Sequence, residues 1–170
     1  MQTTTVKLYS LEYNYAKTYW ITALFVMGNI LLPQLCHLFP QGGIRWLPIY
    51  FFTLIGSYKY GWRVGLLTAI ASPVVNSILF GMPAVGGLPA ILLKSVLLVL
   101  AAGFAATRFK RASVLLLASV VLAYQIVGTL GEWAMKGDFF LAAQDFRIGL
   151  PGMLVQIAGG WFFINRLIRK

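Results

Sequence analysis

Acidic side chains are scarce in this chain: four Asp and Glu stand against 14 Lys and Arg. Three of the four acids fall where water is expected, so general acid–base chemistry has little to work with. There is one cysteine, Cys36, and one histidine, His37. A single thiol excludes an internal disulfide, a Cys-x-x-Cys redox pair and a Cys-rich zinc site. A single imidazole excludes multi-histidine zinc sites, and no His-Glu-x-x-His occurs. No Gly-x-x-x-x-Gly-Lys-Ser/Thr loop is present, so the chain does not hydrolyse nucleotide by itself. No Gly-x-Ser-x-Gly elbow exists, and His37 has no obvious serine partner in the apolar segments. These absences argue against an enzyme and call for no metal or other cofactor.

Charge of both signs is also short. Charged residues make up 11% of the chain and apolar residues 59%, with a mean hydropathy of +0.80. A soluble domain is about 25% charged. A surface so poor in charge suits lipid, and the expected class is an all-α integral membrane protein. The net charge of +10 raises nucleic-acid binding as an explanation. The basic residues sit in short clusters between apolar runs, however, which is the pattern of a membrane topology signal, and no nucleic-acid partner is expected.

Six apolar segments are read as transmembrane helices, at about 18–35, 46–60, 62–80, 88–109, 112–135 and 148–168, within one domain spanning 1–170. Tyr13, Tyr15, Tyr19 and Trp20 lead into the first and suit an interfacial aromatic belt. No signal-peptide cleavage site follows that run, so it is expected to stay as a helix. The second segment is the weakest, being short for a span. Pro89 is compatible with the first turn of the fourth. Lys7, Lys17, Lys59, Arg63, Arg108, Lys110, Arg111, Arg166, Arg169 and Lys170 fall on one side of this layout. Only Arg45, Lys136 and Arg147 fall on the other. The positive-inside rule then places both termini in the cytoplasm of a bacterial inner membrane, which requires an even number of spans.

Polar groups inside the apolar segments are expensive and therefore informative. Asn29, Asn76, Lys94, Gln125 and Glu132 lie in the outer halves of the segments, with Gln156 near the middle. Gly65, Thr68, Ala69, Ser72 and Asn76 form one stripe of the third segment, which is expected to pack against the bundle. Gln125 and Glu132, seven apart, share a face with Gly128 between them. Lys94 lies roughly 9 Å below the outer start of its helix. It either pairs with Glu132 or holds substrate, and the two roles overlap. Asn76 and Gln125 serve as helix–helix contacts or as ligands. Cys36 and His37 offer soft and borderline metal ligands, but two adjacent residues do not make a site.

The run from Pro33 through Cys36-His37 to Gly42-Gly43 and Leu47-Pro48 resembles the substrate-binding S components of energy-coupling-factor (ECF) vitamin transporters. Gly61, Gly65, Ser72-Pro73, Asn76, Gly81-Met82-Pro83 and Leu88-Pro89 extend the likeness over roughly residues 25–100. The resemblance implies a six-helix protein with cytoplasmic termini that binds a vitamin or similar nutrient near the outer surface, under the loop after its first helix. It implies docking onto a membrane coupling protein with two ATPases, and release of substrate inside by toppling. Lys94, Asn76, Gln125 and Glu132 are then the candidate substrate-binding residues, with His37 and Arg45 closing the site. Two departures stand out. The nearest match to the usual Ala-x-x-x-Ala docking patch is Ala23 to Met27, and Lys94 stands where related chains often carry an acid. If Lys94 lines the pocket, a carboxylate or phosphate on the substrate is expected. The alternatives are a membrane scaffold of the rod-shape type and, more weakly, a small lipid-modifying enzyme.

Overall fold

The computed structural model describes residues 9–167. Lys7, Arg169, Lys170 and the last residue of the sixth expected segment lie outside them. Among the described residues there is no strand. The described residues form nine α-helices in order: α1 (Ala16–Cys36), α2 (Gly42–Trp46), α3 (Phe51–Tyr60), α4 (Trp62–Phe80), α5 (Leu88–Phe109), α6 (Val114–Lys136), α7 (Phe139–Ala142), α8 (Gln144–Arg147) and α9 (Leu150–Phe162). A 3₁₀ turn, Pro48–Tyr50, precedes α3, and a π-helical turn, Phe163–Leu167, continues α9.

Four of these helices, α1, α4, α5 and α6, are long and apolar enough to cross a membrane. The boundaries of α4 and α5 coincide with the expected segments because their ends carry strong local signals. Gly81 closes α4 in the left-handed region with its N–H on Ser77 O, and Pro89 stands in the first turn of α5. Ser113 caps α6 by accepting the Leu116 N–H, and Gly137 ends it at φ +72°.

The second expected segment, 46–60, is not one helix. Leu47 takes a left-handed conformation, φ +46° and ψ +45°, and Pro48 lacks the N–H that would continue α2. The chain turns there and restarts as α3, which is only 10 residues long. At 1.5 Å per residue that is about 15 Å, half of a hydrocarbon core. The sixth segment is likewise divided, into 13 residues of α9 and five of the π turn.

Helix α3 is the centre of the bundle. Every residue from Thr53 to Lys59 is buried, and α1, α4, α5 and α9 pack around it. Leu54, Ile55 and Tyr58 join Leu98, Leu117, Val121 and Tyr124 in the core. On α1 the buried positions Thr18, Thr22, Phe25, Asn29 and Pro33 recur at helical spacing, while Trp20, Leu24, Met27 and Leu31 on the other face are exposed. An amphipathic pattern of this kind, apolar outside and polar inside, is what a helix facing lipid requires.

Asn29 fastens three helices. Its Nδ2 donates to Thr53 Oγ1 at 3.0 Å and Ser72 Oγ at 3.2 Å, and its Oδ1 accepts the Phe52 N–H at 3.2 Å. Each helix could satisfy its backbone alone, so these side-chain bonds supply the register between α1, α3 and α4. At one end of α4, backbone and ring contacts gather the basic residues. Tyr9 N–H donates to Lys59 O at 2.8 Å, and the Lys17 and Lys59 ammonium groups each lie 5.6 Å from the Tyr9 ring centre. Tyr58 donates its hydroxyl proton to Arg111 O, and Lys110 lines a hollow with Gly61 and Trp62.

Candidate functional site

At the other end of α4 the bundle opens into a cavity of about 350 Å³. Pro33 of α1, Asn76 of α4, Ala90, Ile91 and Lys94 of α5, and Glu132 and Lys136 of α6 form its walls. The chain between α1 and α3 supplies His37, Gln41, Ile44 and Leu47, and α8 supplies Gln144 and Asp145. Ala90, Ile91 and Lys94 share one helical face, so α5 presents a continuous wall. The α2 turn is held against α9 by contact that only glycine permits. A Cβ on Gly152 would overlap the Trp46 backbone.

An ion cluster forms one wall. Lys94 Nζ lies 2.6 Å from Glu132 Oε2 and 2.7 Å from Asp145 Oδ2. Glu132 Oε1 lies 2.6 Å from Lys136 Nζ. Lys94, Glu132 and Asp145 are 2%, 3% and 6% exposed, whereas the Lys136 side chain is 26% exposed and reaches in from the rim. Gly128 makes this arrangement possible, since a Cβ there would stand about 2.5 Å from Lys94 Cγ. The aliphatic stem of Lys94 thus crosses α6 at a glycine, and its ammonium emerges beside Glu132. Deep burial alone would expel any one of these charges; mutual pairing retains them. Burial pushes the Asp145 carboxyl above the ordinary carboxylate range, and the Lys94 ammonium opposes that shift.

Asn76 lines the same cavity from α4. Its Nδ2 donates to Asn29 O at 2.9 Å and to Ser72 O at 3.0 Å. Its Oδ1 is buried and receives no hydrogen bond among the described residues.

The six residues singled out from the sequence divide among several places. Lys94, Glu132, Asn76 and His37 share the cavity. Gln125 does not line it. Gln125 Nε2 donates to Tyr124 Oη at 3.1 Å, Tyr124 donates to Gln156 Oε1 at 2.8 Å, and Gln156 Nε2 reaches Leu47 O at 3.5 Å. That chain ties α6 to α9 and to the turn before α3. Arg45 is exposed and lines a separate hollow with Leu35, Cys36 and Trp46. Cys36 and His37 therefore open onto different hollows, and no group of three metal-ligating side chains exists among the described residues.

Asp145 is the principal member that sequence reading missed. It falls among the three acids expected near water. The structure buries it, because α8 folds back over the bundle and its carboxylate meets Lys94. No periodicity in a four-residue helix reveals which way a side chain points. The only available signal was stoichiometric: an intramembrane lysine needs a counter-ion, and few acids are available.

No protein-family model, curated protein or solved structure matches this chain. The class that fold and composition define is therefore a helical, membrane-embedded protein with a small-molecule-sized cavity at one end.

Proposed function

We propose that this chain is the substrate-binding subunit of an uptake system of the ECF S-component type, capturing a vitamin-sized nutrient from outside. The cavity carries this reading. Its volume falls in the range of small-molecule sites, about 300–1,000 Å³. Its walls are largely apolar, with a few convergent polar groups. Four ionised side chains in an otherwise oily bundle are expensive, and intramembrane charge of this kind marks substrate pathways by default.

On this reading the chain crosses the bacterial cytoplasmic membrane six times. The broken stretch from α2 to α3 makes the second crossing, and α9 with its π turn makes the sixth. Lys59, Arg63, Lys110 and Arg111 belong to the end of α4 opposite the cavity. The positive-inside rule assigns that end, and both termini, to the cytoplasm and the cavity to the exterior. The sequence has no nucleotide loop of its own, so energy comes from partners: a transmembrane coupling protein and its ATPases.

Native mass spectrometry of the full chain, purified in mild detergent after expression in its host, tests the proposal. A bound molecule of vitamin size is expected, together with ATPase subunits in affinity capture. A protein free of small molecules that captures cell-wall or cytoskeletal proteins would replace the uptake reading with the scaffold one.

A further inference from the structure

Two features of the cavity define its ligand more narrowly than its size does, and the inference from them rests on the uptake reading above. The first is the balance of charge. Lys94 is the deepest cation in the wall, and both of its close partners are carboxylates, at 2.6 and 2.7 Å. Glu132 is shared in turn with Lys136. Two ammonium groups and two carboxylates cancel, and among the described residues no arginine lines the cavity. A ligand carboxylate or phosphate approaching Lys94 would have to displace Asp145 or Glu132, or else lie against them as a like charge. Either course costs more than the contact returns.

The second feature is the amide of Asn76. Its orientation is fixed by its partners. Asn29 O and Ser72 O are backbone carbonyls, which only accept, so the NH₂ must face them. That leaves Oδ1 as the side-chain atom without a partner, on a residue that lines the cavity. Asn76 is 1% exposed, and Oδ1 has no donor among the described residues. A buried carbonyl oxygen without a partner is costly, and native structures rarely leave one so. An N–H or O–H on a ligand reaching Oδ1 would supply the missing donor.

We propose that the cavity takes a ligand without net negative charge, an apolar body bearing an amide, lactam or ureido N–H that donates to Asn76 Oδ1. The carboxylate oxygens of the ion cluster, also acceptors, favour a second donor on the same ligand. The cavity thus selects against the anionic substrates that a lone lysine would attract.

A matched series of small probes tests this on the full wild-type chain in detergent, by titration calorimetry at neutral pH. Benzamide offers two N–H donors, N-methylbenzamide one, and N,N-dimethylbenzamide none. Benzoate has the same ring with an anionic, acceptor-only group. Benzamide is expected to bind at least about tenfold more tightly than either the dimethyl compound or benzoate, the factor that roughly one lost buried hydrogen bond represents. N-methylbenzamide should stay close to benzamide, which separates donor loss from added bulk. Asn76→Leu should remove the preference for benzamide over the dimethyl compound. Benzoate binding as tightly as benzamide, equal binding across the amide series, or no binding of any probe at millimolar concentration would each overturn the proposal. If the variant does not fold, the wild-type series alone decides. Native mass spectrometry keeps the two levels apart. A bound anionic nutrient would sink the ligand class and leave the uptake reading standing, whereas the absence of any nutrient would sink the uptake reading.

Discussion

Lys94 holds two buried carboxylates, and its replacement is the most damaging single change at the site. Lys94→Met removes the charge, keeps most of the volume, and leaves Glu132 and Asp145 without their shared cation. A loss of about 3–5 kcal/mol is expected. Thermal unfolding followed by tryptophan fluorescence should show it as a lowered midpoint. Adding Glu132→Gln and Asp145→Asn to Lys94→Met should recover much of the loss, because the neutral cluster no longer contains an unpaired charge. A triple variant no more stable than Lys94→Met would mean that the cluster contributes through shape rather than charge. Lys136→Ala should cost far less, about 0.5 kcal/mol, since its ammonium sits at the wetter rim. At this scale the sequence was partly legible. A lysine within an apolar run announces itself, and Glu132 lies on a predictable helix face. Asp145 does not, because its direction is set by a tertiary fold-back and not by any repeat.

At the scale of elements, legibility followed local punctuation. Helices α4 and α5 were delimited by glycine and proline, and their limits could be read directly. The segment 46–60 carried Pro48 as a warning, but the left-handed turn at Leu47 had no residue-type signal, since leucine seldom adopts it. The same conformation recurs at Lys110, the residue that ends α5 at φ +51°. There it is exposed, so the strain can be separated from packing. Lys110→Gly should raise stability by about 1 kcal/mol, because glycine adopts this region without a Cβ clash. A chemical or thermal melt of the variant measures it, and an unchanged or lowered midpoint would deny that the cap is strained. Gly128→Val makes the opposite case. Its side chain would press on the Lys94 stem, and a loss of about 1–3 kcal/mol is expected from overpacking between α5 and α6. The same melt checks it.

For the whole molecule, the orientation across the bilayer is open to direct measurement. In a Cys36→Ser background, Val85→Cys lies in the exposed loop before α5, at the cavity end, and Lys110→Cys lies at the other end of that helix. A membrane-impermeant maleimide added to intact cells should label the first and not the second, with labelling of the second appearing only after the membrane is opened. The reverse pattern would invert the assignment of the cavity to the exterior. Composition made the membrane class readable, but it gave no account of α3. That helix keeps company with α1, α4, α5 and α9 on its flanks, and Thr53, Ser57 and Lys59 are shielded along with its apolar residues. Its effective solvent is other protein. Oiliness, the yardstick by which bilayer helices are usually recognised, has little hold where other helices wall in a rod from Thr53 to Lys59, and evolution is free to write polar letters there.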